Sequence, residues 1–402
     1  MEQVKSYNNF TFYNPTKIIF GAKTILQLRN LIPKESKILM TYGGGSIKKN
    51  GVYDQVKEAL KEHTVLEFSG ISPNPKYEHS MKAVEICKKE NIDFLLAVGG
   101  GSVIDATKFI SIAAKYEYED PWDLIIKKFS GDSKYEPKAA IPIGTVITLP
   151  ATASEMNAGF VLSRESTKQK YDKFHTLLFP KFSILDPETT YTLPKNQTIN
   201  GAVDTFIHII EQYVTTNRNT RIPDRISEGL LDTIISETPK VLENPKDYSA
   251  RANLMWSSTL GLNYLISTGV DQDWAIHQIG HEITAMTGAD HAKTLAAILP
   301  GMWKYKKEQK KEKLAMMAER VYGKKEGTDD EKADFTIQKT IEFFNSIGMK
   351  TTLSSAGIGK ENFNELIKRI EDRENDLKAP PLGENADIYA KDIIKILELC
   401  DL

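Results

Sequence analysis

The sequence predicts a parallel-sheet α/β domain over residues 1–195, followed by an all-α domain over residues 196–402. The chain has 402 residues, beyond the ~250–300 at which a single hydrophobic core tends to divide. In the first half, short β-branched runs alternate with stretches of helical periodicity, the rhythm of βαβ units whose parallel sheet is covered by helices. After "TLPKNQTIN" (192–200) the texture changes and helical spacing alone remains.

The strand runs are "KILMTY" (37–42), "TVLEF" (64–68), "FLLAV" (94–98), "IPIGTVITLP" (141–150) and "FSILDP" (182–187). Two of them run into "GGGS", at 43–46 and at 99–102, and the carboxyl ends of strands are where open α/β sheets bind ligands. In the second half, Ile226, Leu230, Leu231, Ile234 and Ile235 recur at helical spacing over 225–237. Ile337, Ile341 and Phe344 repeat that pattern before Gly348, a helix stop. The lysine-rich "KYKKEQKKEKL" (304–314) reads as the solvated face of a helix rather than a nucleic-acid site.

Composition narrows the partners. With 41% hydrophobic and 26% charged residues and a formal charge of -2, the chain gives no electrostatic reason to bind nucleic acid or a membrane surface. A small molecule is the expected partner. Two cysteines, Cys87 and Cys400, are too few for a disulfide framework or a thiolate metal site and fit a reducing cytoplasm. The N-terminal stretch has no basic-then-apolar signal pattern, and no apolar run approaches the ~18 residues of a membrane span. A cytoplasmic protein is expected.

"FLLAVGGGSVIDATKF" (94–109) reads as strand, glycine turn and helix, with Asp105 and Lys108 in the first helical turns. Gly99, Gly100 and Gly101 let backbone approach a pyrophosphate, and Ser102 opens a helix whose N–H groups and dipole favour it. A Rossmann-like dinucleotide site is thus expected, although Ile104 stands where the usual G-x-G-x-x-G fingerprint has its third glycine. In the other cluster, Gly44, Gly45 and Ser46 precede Lys48 and Lys49 with no acid among them. Small residues with basic neighbours leave room for a 2′-phosphate, which favours NADP(H) over NAD(H). "TLPATASEMNAG" (148–159) reads, by itself, as a polar loop leaving a strand.

Four of the seven histidines lie between 208 and 291. Asp204 and His208, at i and i+4, share one face of a helix with apolar neighbours, and a buried aspartate needs a cation or donors beside it. His277 and His281 repeat the spacing on a helix read at 273–287, and "TGAD" breaks the chain so that His291 begins the next helix. "HEITA" lacks the second histidine of H-E-x-x-H, so Glu282 is expected to face outward. One aspartate with imidazoles suits Fe(II) or Zn(II) with a position open to substrate. Spacing leaves His281 and His291 as equal candidates for the last ligand. Trp274 and Met156 are candidates to line an apolar pocket, or to be core.

On these stretches together with "NPTKIIFG", "SPNP" (72–75), "VDTFIHIIEQYV", "DWAIHQIGHEITAMTGADHAKTLAAILP" and "LGENADI", the chain resembles the iron-containing (group III) alcohol dehydrogenases. It is closest in pattern to their NADPH-dependent butanol dehydrogenase and aldehyde reductase branch. The resemblance implies a dehydroquinate synthase-like architecture, a homodimer, and a metal in the cleft between a dinucleotide-binding domain and a helical domain. It assigns the metal ligands to Asp204, His208, His277 and His291, and leaves His281 beside the metal without coordinating it. It adds Asn74, Thr148, Thr152, Asn157 and Lys170 to Gly99–Ser102 as cofactor positions, with Ser46 at the 2′-phosphate. Ala151 and Ala153 depart from a family loop that often has glycine at both places, which narrows the expected nicotinamide pocket.

The expected reaction is hydride transfer between NADP(H) and a short-chain primary alcohol or aldehyde such as butanol or butanal, with Asp204 and the imidazoles holding the ion and His281 relaying a proton. The rival reading is a metal- and NAD-dependent lyase of the dehydroquinate synthase type. That reaction wants basic residues around the metal for an acidic substrate, and these stretches offer few.

Overall fold

A computed structural model of the chain describes residues 6–402. Its strands are β1 (Lys17–Phe20), β2 (Lys37–Tyr42), β3 (Thr64–Phe68), β4 (Phe94–Gly100), β5 (Ile143–Leu149), β6 (Gly159–Arg164), β7 (Gln169–Phe174) and β8 (Phe182–Leu185). Six of them form a parallel sheet in the order β1-β8-β5-β4-β2-β3, and β6 and β7 form a separate antiparallel hairpin. All five expected strands are present. Pro142 and Pro150 lie outside β5, as residues without an N–H to give the ladder do. Strand β1 and the hairpin were not anticipated: "KIIF" is four residues at a sheet edge, β6 follows directly on the polar stretch and opens on Gly159, and β7 carries Lys170, Asp172 and Lys173 among its six residues.

The chain passes from β2 outward to β3, then returns to β4 and continues through β5 and β8. The direction therefore switches between β2 and β4, which are neighbours with Tyr42 opposite Val98. Both glycine clusters follow at the carboxyl ends of this pair, the position where doubly wound sheets take ligands. Strands β2, β4 and β5 are buried almost throughout, which is why they read as unbroken apolar runs.

Two compact units result. One comprises Asn14–Pro194 and Asn244–Thr259, the other residues 6–13, Lys195–Glu243 and Leu260–Leu402. Residues 244–259 join the sheet unit, where Thr259 donates to the Glu155 carboxylate at 2.6 Å. The N-terminal segment joins the helical unit, where Asn8 binds Gly269 and Asp271, each at 2.9 Å. Among the described residues no strand follows Leu185. The helical unit packs around Phe206, fully buried with ring centroids 5.8 Å and 5.3 Å from Phe343 and Phe344. No helix is long and apolar enough to cross a membrane among the described residues.

One expectation is corrected here. The lysine-rich stretch is a solvated face only in part: Lys304 is exposed and Lys307 and Lys311 are half-buried, but on the helix Lys307–Arg320, Lys310 and Lys313 are 2% and 1% exposed. Lys310 meets Asp273 at 2.5 Å, Glu384 at 2.9 Å and the Val214 carbonyl at 2.9 Å, while Lys313 pairs with Asp224 at 2.5 Å. The compensating carboxylates come from distant segments, so the lysine run itself carried no sign of them.

Candidate functional site

The residues expected to meet the nucleotide belong to the sheet unit. Strand β4 ends at Gly100 and a helix, Gly101–Ala113, starts at once. A Cβ at Gly101 would collide with the Thr152 side chain, so glycine is required for the 148–159 loop to approach the helix start. Asp105 and Lys108 turn toward that loop. The Asp105 carboxylate accepts from Ser154 Oγ at 2.7 Å and from Val161 N at 3.0 Å. Lys108 Nζ donates to Asn157 O at 2.9 Å, Asn157 Oδ1 at 3.0 Å and Gly159 O at 2.8 Å. Burial pulls the Lys108 pKa down to about 7 against the nearby carboxylates of Asp105 and Glu155.

Asn157 in turn donates to the Thr152 carbonyl at 3.1 Å, so the stretch read as a plain polar loop is an internally bonded shelf. Thr148 is buried at the end of β5. Ala153 sits fully buried at φ 51°, a left-handed conformation that costs a residue with a Cβ about 1–2 kcal/mol. This departure from glycine is borne by the backbone. Lys170 on β7 donates to Asn74 Oδ1 at 2.8 Å, joining two more expected residues across the hairpin.

At the other cluster, Gly45 adopts φ 95° and Ser46 begins a short helix, exposed. Lys48 Nζ lies 5.2 Å and 4.8 Å from the Tyr42 and Tyr53 ring centroids. Glu67, an acid on neighbouring β3, is engaged by both tyrosine hydroxyls at 2.9 Å and 2.7 Å and by Lys57 at 3.3 Å.

The imidazoles belong to the helical unit. Asp204 and His208 lie on the helix Lys195–Tyr213, His277 and His281 on Ala275–Thr287, and His291 opens His291–Tyr305. Gly288, at φ 72°, ends the first of the latter two helices and turns the chain back, bringing the His291 ring within 5.4 Å of His277. Asp204, His277 and His291 each offer a donor atom, all within 4.8 Å of one another. The His208 ring stacks on His277 at 4.4 Å, with Nδ1 3.8 Å from Asp204 Oδ1. His281 stacks on His291 at 5.0 Å and lies outside the three-residue group. Trp274 stands edge-on to His277 at 5.5 Å, so it walls this cluster rather than filling a remote core.

The donor set fits a divalent cation. Asp204 Oδ1 and His277 Nε2 are buried, 3.6 Å apart, and neither has a hydrogen-bond partner among the described residues. Two buried polar atoms left so would be costly without a cation between them. Burial lowers the pKa of His277, but the carboxylates of Glu211 and Asp204 more than reverse this and raise it to about 9.

Glu282 departs from expectation. It is 2% exposed and pairs with Arg369 at 2.9 Å, because the helix Phe363–Leu377 covers that face of the His281 helix with a cation. Glu211 was missed: buried on the helix of Asp204 and His208, it binds His277 Nδ1 and accepts from Ile276 N at 2.7 Å. Its spacing from Asp204 is i+7 and from His208 i+3, a same-face signal that the sequence did contain.

Profiles of known families account for both halves of the chain. One described as iron-containing alcohol dehydrogenase matches residues 15–187, and its C-terminal counterpart matches residues 198–398. The chain belongs to the iron-containing alcohol dehydrogenase family. It is 50% identical to the NADPH-dependent aldehyde reductase YqhD of Escherichia coli, over 95% of this chain and 96% of that protein. The crystal structure of YqhD superposes with a TM-score of 0.94, covering 98% and 99% of the two chains. An NADP-dependent alcohol dehydrogenase 3 from Entamoeba histolytica is 42% identical over 97% of this chain and 98% of its own length. The structure of an NADH-dependent butanol dehydrogenase A from Thermotoga maritima gives a TM-score of 0.93 at 38% identity, covering 99% and 100%. None of these relatives is named as a lyase.

Proposed function

We propose that this alcohol dehydrogenase interconverts short-chain aldehydes, such as butanal, and primary alcohols with NADP(H), as a cytoplasmic homodimer. The observation that carries the reading is the convergence of Asp204, His277 and His291 on one point, with Asp204 Oδ1 and His277 Nε2 buried 3.6 Å apart and neither in hydrogen-bond contact with a described residue. Asp204, His208, His277 and His291 would hold one Fe(II) or Zn(II). When bound, the ion supplies a Lewis acid for the carbonyl oxygen, and NADPH supplies the hydride.

The chain's own residues do the rest. Trp274 walls the carbonyl end of the substrate against water. His281, set beside His291 and outside the donor group, holds a proton on a ring nitrogen and delivers it to the oxygen as the alcohol forms. Gly99, Gly100, Gly101 and Ser102 present backbone N–H groups to the pyrophosphate, with Thr148, Thr152 and Asn157 on the shelf beside them. Asn74 is held by Lys170 at the hairpin. Asp105 acts on the cofactor through the shelf that it and Lys108 fasten. At Ser46 and its neighbours Gly44 and Gly45, a 2′-phosphate meets small residues and lysines, while Glu67 is engaged by its own partners. That arrangement supports NADP(H) over NAD(H).

Anaerobically purified protein is expected to carry one ion per chain and to reduce butanal with a lower Michaelis constant for NADPH than for NADH. A tenfold preference for NADH overturns the cofactor assignment. His277→Ala and His291→Ala should lose metal and activity together, whereas His281→Ala should lose activity and keep the metal. Loss of metal from His281→Ala overturns the division of the histidines.

A further inference from the structure

We infer that Glu211 is a positioning residue that fixes His277 as its Nδ1–H tautomer, aims Nε2 at the ion, and sets the affinity of the site. The inference rests on the proposed role of His277 as a ligand. His277 Nδ1 faces Glu211 Oε2, while Nε2 faces Asp204 Oδ1 at 3.6 Å. For Nε2 to give its lone pair to an ion, the ring hydrogen must sit on Nδ1, where the facing Glu211 oxygen can accept it. Without that partner the ring is free to exchange tautomers and to turn its N–H toward the ion.

Glu211 is itself held from three directions. Its other oxygen accepts from Ile276 N at 2.7 Å, its backbone carbonyl accepts from Asp273 N at 2.9 Å, and its helix also carries Asp204 and His208. One residue thus ties the ligand-bearing face of the helix Lys195–Tyr213 to the first turn of the helix that carries His277. Carboxylates so placed behind a ligating histidine raise its basicity and limit its rotation, and their loss typically costs 10–100-fold in metal affinity.

The test uses the full chain stripped of metal and titrated with Co(II) and Zn(II) against a chelator. Wild type should bind one ion, and Glu211→Gln, which keeps a hydrogen-bond acceptor without its charge, should bind about 10–100-fold more weakly. Glu211→Ala should bind more weakly still and alter the Co(II) d–d spectrum. Equal affinities for wild type and Glu211→Gln overturn the inference while leaving the metal centre standing. No binding by wild type overturns the metal centre itself, and the inference with it.

A second measurement needs no variant at Glu211. In the Zn(II)-loaded wild type with 15N-labelled histidine, assigned with His277→Gln, the His277 ring should show a protonated Nδ1 and a metal-bound Nε2. A protonated Nε2 overturns the inference whether or not the Glu211 variants fold.

Discussion

Lys108 of the sheet unit and Lys310 of the helical unit are both fully buried and each touches three oxygens, yet they are held by opposite means. Lys108 donates to neutral carbonyl and amide oxygens of the 157–159 segment, and burial brings its pKa down to about 7. Lys310 also loses its water, but Asp273 and Glu384 outweigh that loss and raise its pKa. The difference runs through the two sites. On the sheet side, glycines, threonines and carbonyl oxygens shape the turns, and the buried cation meets neutral acceptors. On the helical side, buried carboxylates and cations hold each other, and the imidazoles stand among them.

The contrast is broken most forcefully at Lys310. Lys310→Met leaves Asp273 and Glu384 buried without their cation, and removing one partner of such a pair typically costs about 3–5 kcal/mol. Asp273 also accepts from Ala275 N at 2.9 Å, so the start of the His277 helix should loosen. Chemical denaturation should show the loss, and metal content should fall with it. A variant as stable as wild type would mean that the charge network is dispensable.

Lys108→Met should cost less, about 1–3 kcal/mol for the acceptors it abandons, and its effect should depend on pH. With a folded pKa near 7 against an ordinary 10.5, the unfolded chain binds more protons between those values, so this lysine makes stability rise with pH across that window. Below about 7 both states are protonated and the slope vanishes. Wild type should therefore gain on Lys108→Met from pH 7 to pH 10 in parallel melts. A constant gap would place Lys108 with Lys310, as a locked cation.

The smallest effect is expected at Ala153. Ala153→Gly relieves the left-handed strain but frees the unfolded chain, leaving a net gain of at most about 1 kcal/mol. Butanal turnover with NADPH should be retained. A marked loss of either stability or activity would show that the Ala153 methyl is needed for packing in the shelf.

The sequence by itself determined the local features: five of the eight strands, both glycine turns, the Asp204–His208 and His277–His281 spacings, and the break at Gly288 that lets His291 start a helix. Each depends on neighbours a few residues away, where periodicity and turn chemistry act. Only the tertiary structure decided the rest. It put Lys310 and Lys313 inside, paired Glu282 with Arg369, turned Asp105 onto Ser154, and set Glu211 behind His277. A charged side chain reads as solvated until its counter-ion is known, and here the counter-ions come mostly from distant parts of the chain. The desolvation they offset is a property of packing, which no single stretch of sequence displays.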